Sequence, residues 1–356
     1  MVGVYWSQVQ EAFGRTLGDL GLVSLVYGIG RMSTALAGRT LLRRLEMGPA
    51  FVVALLALAT SSLALASATS WPLFLMAIAA IGAVSGLLDS IGAIFITTIG
   101  DMASTGLIHG MYGFGATVGP LLVIVAPTWR WSALAGAVIV GGAIVVATRA
   151  RQSWPPPVPV TVPADQQGET VNAIVILASL GAFASLVALE VTTGQWAYTY
   201  LTESRAFDGD LAAIGVSGFW AGLMVGRLLM SRARITPLVD RLGTVKLSLA
   251  ALAGIAGLVI LPPIAAVAAL VFAGVSLGPL VPTLFARTRQ RVGEVNAARM
   301  AGRQLLATNV GGVGIPFLTG LLVDATNPAV IIVVVIVVLG GVALPLLATL
   351  RRVAPV

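Results

Sequence analysis

The chain has 356 residues, 58% of them apolar and only 10% charged, with a net charge of +7. That balance excludes a soluble globular domain, and apolar runs of about 20 residues recur as a hydrocarbon core about 30 Å thick demands of a helix. The runs are continuous rather than alternating, which excludes a spanning barrel, and the absence of cysteine excludes a disulfide framework or a thiol site.

Residues 1–21, MVGVYWSQVQEAFGRTLGDLG, read as the last turn of one helix, a short loop and the start of the next. They lack the basic start and small-residue cleavage site of a signal peptide. Hydropathy then predicts eleven spans, at 18–42, 49–68, 71–99, 104–126, 128–148, 172–200, 208–231, 244–261, 264–287, 300–324 and 327–350. Between the fifth and sixth, the stretch beginning RARQSWPPPVPV is proline-rich and polar. It predicts a cytoplasmic linker over 149–171 between an N-terminal half, 1–148, and a C-terminal half, 172–356. Placing the 42–49 connection in the cytoplasm puts seventeen of the 21 basic residues inside, with Arg15, Arg130 and Arg205 outside and Arg31 within a span. The positive-inside rule therefore accounts for the charge without nucleic acid and sets the C-terminus in the cytoplasm. The expected location is the inner (cytoplasmic) membrane.

The halves repeat each other. GDLGLVSLVYGIGR at 18–31 matches GDLAAIGVSGFWAG at 209–222, a shift of 191 that pairs Asp19 with Asp210. GAVSG at 82–86 matches GVSLG at 274–278, and GATVGP at 115–120 matches GGVGIP at 311–316, with shifts of 192 and 196. Such repeats are a mark of transporters. The first shift carries Met1 onto Thr192, well inside the sixth span. The expectation is a twelve-helix design lacking most of helix 1, with a mis-assigned start ahead of a genuine truncation as the cause. The visible spans then count as helices 2–12.

GLLDSIGAIFITTIG (86–100) with LIHGMYGFGATVGPLL (107–122), and LEVTTGQWAYTYLTESR (189–205) with VSGFWAGLMVGRLL (216–229), carry a further resemblance. The chain resembles the major facilitator superfamily, and within it the fucose-permease-like branch of bacterial members. The resemblance implies two parallel six-helix halves, alternating access about a central site near the midplane, and a helix 4 carboxylate that binds protons or substrate. Helices 1, 4, 7 and 10 line the cavity in that family. The chain departs from the pattern at Leu42 and Met230, where an acid follows the loop glycine, and at Ala93-Ile94, where the fucose permease pattern has Asn-Pro. Sugar specificity is therefore not transferable.

Ionisable groups in a span cost about 2.5–3.5 kcal/mol on insertion scales and face a cavity or a partner. Asp89 sits mid-span on a stripe with Gly82, Ser85, Gly86 and Ala93, and the resemblance makes it the helix 4 carboxylate. Its repeat counterpart is Val281, so the fold does not require an acid there; the alternative is a carboxylate held by hydroxyls or an arginine. Arg31 lies roughly 20 Å down its helix at 1.5 Å per residue, near the depth of Asp89. It either pairs with an acid, Asp89 before Glu190, or offers a cation to an anionic substrate. Glu190, slightly outside the midplane, shares a face with Thr193, Gly194, Ala197 and Tyr198, and Gln195 and Trp196 suit a hydroxylated ligand. Trp196 and Tyr200 serve equally as interface anchors. Asn309 and Trp220 are further cavity candidates. His109, the single histidine, has no second ligand for a metal and is a candidate proton relay.

GVSLG fits G-x-S-x-G, but that motif needs a strand–turn–helix elbow and a histidine; inside an apolar helix it predicts packing. No phosphate-binding loop of the form G-x-x-x-x-G-K is present. The resulting expectation is a non-enzymatic, all-α polytopic secondary transporter of the major facilitator fold. It moves a sugar or other hydroxylated compound with protons, as a monomer in the bilayer, without cofactor, metal or nucleic acid. GATVGP also carries part of a helix 5 motif of antiporters, so efflux of drug-like or metabolic compounds is the alternative within the class. A non-transporting membrane module or inactive remnant is the alternative outside it.

Overall fold

The computed structural model describes residues 2–42, 46–99, 102–150, 171–230 and 236–353. Among the described residues the backbone forms helices and no strand, and nine helices are long and apolar enough to cross a membrane. The spans expected at 18–42 and 104–126 are also helical, as α2 (Asp19–Leu42) and α5 (Met102–Val125), each of 24 residues. That length reaches about 36 Å at 1.5 Å per residue. The side chains of residues 35–42 in α2 and 102–112 in α5 lie outside the described residues, so neither helix is counted among the nine. The expected linker lies, over 151–170, outside the described residues.

The chain forms two compact units: Tyr5–His109 with Val125–Val162, and Gly110–Ile124 with Met1–Val4 and Pro163–Val356. The first unit begins with α1 (Trp6–Phe13), which ends at Gly14 with φ 61°. A residue without Cβ adopts that left-handed geometry at no steric cost. Within this unit α2 lies along α4 (Trp71–Ile99), while α3 (Met47–Ala66) packs on both α4 and α6 (Trp129–Arg149). The α2–α4 approach depends on Gly82, where a Cβ would collide with the Tyr27 carbonyl. At one end, Trp71 stacks on Phe74 at 5.4 Å and Trp129 meets Phe74 edge-on at 5.5 Å. Arg15 sits 4.9 Å over Trp71 and Arg130 sits 4.4 Å over Trp129. Arg130 Nη1 also donates to the Ala66 carbonyl at 2.6 Å, closing the C-terminus of α3. Arg15, in the loop after α1, thus lies on a ring of α4, and Arg130 ties α6 to the end of α3.

The second unit begins with α7 (Ala173–Thr199), prolonged by a π-helical turn, Tyr200–Ser204. The helix therefore runs to 32 residues, with Glu190 close to its centre. α8 (Gly209–Met230) crosses α10 (Pro263–Leu277) closely. A Cβ on Gly222 would stand 2.5 Å from the Val271 carbonyl oxygen, which no side chain tolerates. The α8–α10 crossing is the repeat counterpart of α2–α4, and glycines permit both. The Ser276 hydroxyl donates back to Phe272 O at 2.9 Å, and Gly274 presses on Phe219, so GVSLG is a packing surface. α9 (Thr236–Ile260) breaks at Gly243, φ 69°. Its far end is held by Arg205, whose Nη1 and Nη2 donate to the carbonyls of Leu258 and Leu261. α11 (Leu280–Ala286) and α12 (Thr288–Val292) lead into α13 (Glu294–Ala325), which runs along α7. α14 (Val330–Ile336), a π-helical stretch Val337–Ala343 and α15 (Leu344–Val353) finish the unit. The part of α5 in this unit meets α8 where the Ser217 hydroxyl donates to Thr117 O at 2.8 Å.

Candidate ion-pair sites within the membrane spans

Among the described residues, each unit shows an ion pair between two of its helices. In the first, glycine packing brings α2 and α4 together: a Cβ on Gly86 would strike the Arg31 carbonyl. That contact places the two charged side chains side by side. Arg31 Nε and Nη2 both donate to Asp89 Oδ2, at 2.9 and 2.8 Å. The side chains remain 37% and 54% exposed. Of the stripe expected around Asp89, Gly82 and Gly86 admit α2. Ser85 and Ser90 bond their own helix, to Ile81 O and Gly86 O. The side chain of Ala93 lies outside the described residues. Among the described residues the arginine, not a hydroxyl, is thus the carboxylate's partner.

In the second unit Arg227 Nη2 donates to Glu190 Oε2 at 2.6 Å, joining α8 to α7. This pair is buried, with Glu190 9% and Arg227 24% exposed. Glu190 Oε1 accepts no hydrogen bond, and the hydroxyls of Thr192 and Thr193 beside it are likewise buried and unpartnered. Sequence reasoning missed Arg227 and counted it among the inner basic residues. It lies three residues from the end of Gly209–Met230, where a long side chain ordinarily snorkels to the interface. The signal that could have found it is the buried acid on the neighbouring span, which requires a counter-charge.

The other candidates are dispersed. Trp196 is fully buried and its indole N–H donates to Pro316 O at 3.2 Å. It is a packing residue that pins α7 to α13, neither open to a ligand nor an interface anchor. Tyr200 is buried too. Trp220 is half-buried; its ring occupies the space a Cβ on Gly194 would need, and it lies edge-on to Phe219 at 5.7 Å. Gln195 is half-buried, with Gly3 pressed against its backbone carbonyl. Asn309 donates from Nδ2 to Leu305 O at 3.0 Å within its own helix. His109 falls in α5, and its side chain lies outside the described residues. No cluster of three or more metal-ligating side chains occurs among the described residues.

The family profile of the Major Facilitator Superfamily matches residues 1–312. Among solved structures, the nucleoside transporter NupG superposes with a TM-score of 0.73 at 15% identity, covering 98% of this chain and 94% of that one. The human organic anion transporter MFSD10 gives 0.67 at 14%, covering 97% and 88%. FucP, a transporter of the same superfamily in an outward conformation, gives 0.62 at 15%, covering 97% and 93%. At these identities the likeness is one of fold. No curated protein sequence matches the chain.

Proposed function

The chain belongs to the major facilitator superfamily and is a multi-pass membrane transporter; from that premise we propose that it carries a small hydroxylated solute, a sugar or a near relative, together with protons. The observation that carries this reading is the Arg31–Asp89 pair, charged and partly exposed within a span. Charge at that depth is retained where water or a counter-charge meets it. A proton arriving on Asp89 cancels the attraction and releases the guanidinium. A pair of this kind links proton occupancy to whether two helices are clasped. Glu190 with Arg227 is a second such clasp, more deeply buried.

In this reading the halves 1–148 and 172–356, joined by a cytoplasmic linker at 149–171, work by alternating access. The protein is a monomer in the inner membrane, with its C-terminus in the cytoplasm, supported by the inward bias of arginine. Trp220, Gln195 and Asn309 supply aromatic and amide surface for hydroxyl groups, and His109 is a relay candidate. The function is tested by uptake of a labelled sugar panel into proteoliposomes at two pH values. Accumulation of one member, faster with acid outside, is expected. Accumulation independent of the proton gradient would refute the coupling. Extrusion driven by protons moving inward would establish the antiport alternative.

A further inference from the structure

α8 carries an aromatic side chain whose place is set by shape. Gly194 on α7 is buried. A Cβ there would overlap Cζ2 of the Trp220 indole and stand 2.6 Å from Cε2 and 2.9 Å from Nε1. Phe219, itself fully buried, lies edge-on to the indole at 5.7 Å. Among the described residues no hydrogen bond holds the ring. The side chain missing at 194 is therefore what seats it, and a methyl group added there displaces the rigid indole as a body.

The direction in which this half-buried ring opens follows from its neighbours on α8. Three residues before it, the Ser217 hydroxyl donates to Thr117 O of α5. Four residues after it, Met224 packs on Gly113 of α5, where a Cβ would stand 2.7 Å from Cγ. Two turns along on the other side, Arg227 reaches Glu190 of α7. Trp220 thus lies between the α5 and α7 edges of α8, whereas the exposed Ile214 and Val225 lie about 120° and 140° away round the helix. Its open surface faces the interval between α5 and α7 and not the apolar outer face.

An aromatic face with a negative π-surface attracts polarised C–H groups. A cyclic sugar holds several of these on one side of its ring, and an acyclic polyol holds none in a fixed array. Taking the protein as the carrier of a hydroxylated solute, on which the assignment rests, we propose that Trp220 seats the C–H face of a cyclic sugar and that Gly194 is the positioning residue that sets the indole for it.

Uptake kinetics in proteoliposomes, with the member of a labelled sugar panel that wild type accumulates, test the assignment. Trp220→Phe and Gly194→Ala should each raise KM roughly tenfold, the scale on which a pocket registers one methyl group, and not lower the maximal rate. Gly194→Ala with Trp220→Phe takes away the indole atoms that collide. Its thermal unfolding midpoint should match that of Trp220→Phe, with KM still raised. A double variant that regains the wild-type KM, or Trp220→Phe with KM unchanged, would overturn the seat. Unlabelled hexitols should compete with wild-type uptake less well than cyclic hexoses; equal competition would overturn it too. Fluorescence quenching checks the ring without a solute. The emission lost in Trp220→Phe, taken as a difference from wild type, should be quenched by water-soluble acrylamide and not by brominated acyl chains. The reverse would put the ring against lipid and overturn the seat. A wild type that accumulates no cyclic sugar would refute the functional reading itself and the seat with it, a result distinct from any change confined to the variants.

Discussion

Arg227→Leu removes the counter-charge from Glu190 in a site where that side chain is 9% exposed and where Oε1 already accepts no hydrogen bond. At that burial solvent replaces the guanidinium poorly, so the penalty is that of stranding one member of a buried pair, about 3–5 kcal/mol. For domains of 150–250 residues each kcal/mol shifts the melting midpoint by about 2–4 °C, so a fall of roughly 10 °C is expected. Adding Glu190→Leu removes the stranded charge along with its partner, and two leucines fill comparable volume between α7 and α8. The double variant should regain most of the loss, because replacing both members of a buried pair by apolar residues is close to neutral. Thermal unfolding of the purified protein in detergent, followed by tryptophan fluorescence, measures both. If the double variant melts no higher than the single one, the pair does not act as a buried clasp and the reasoning fails.

The Arg31–Asp89 pair, being far more exposed, should respond less: Arg31→Leu is expected to cost about 1 kcal/mol or under in the same assay, and a loss as large as that of Arg227→Leu would show that the site is closed. Gly82→Leu should prevent folding, since its side chain meets the Tyr27 backbone rather than a movable group; normal yield and a normal melting midpoint would contradict the α2–α4 packing. Arg205→Gln removes two charge-assisted hydrogen bonds from the C-terminus of α9, at about 1.5–3 kcal/mol for a bond to a charged group. Amide exchange over 256–261 should accelerate, and unchanged exchange there would refute the cap.

The fold was largely legible because its main determinants are local. Continuous apolar runs set helices in a bilayer, and the GDL and glycine repeats pointed to two related halves. The internal arginine announced its own need for a partner, and Asp89 at a similar depth was readable as the answer. What was not legible depended on packing between distant segments. Arg227 looked like an interfacial residue until α7 and α8 brought Glu190 to it. Trp196 looked like a cavity residue, since nothing in its neighbours discloses that Pro316, far along the chain, offers a carbonyl to its indole. Arg130 and Arg205 looked like stray outer charges, and they close the ends of α3 and α9. The break at Gly243 and the π-helical turn after Thr199 shift span boundaries that hydropathy alone cannot resolve.

The central claim is that Asp89 couples solute movement to protons. Its most direct measurement is solute-driven proton flux, with a pH-sensitive dye inside proteoliposomes holding wild type or Asp89→Asn. Adding the transported solute outside should acidify the wild-type interior, and Asp89→Asn should abolish this signal while solute exchange persists. Undiminished acidification by Asp89→Asn, or solute uptake by wild type with no proton movement, would contradict it.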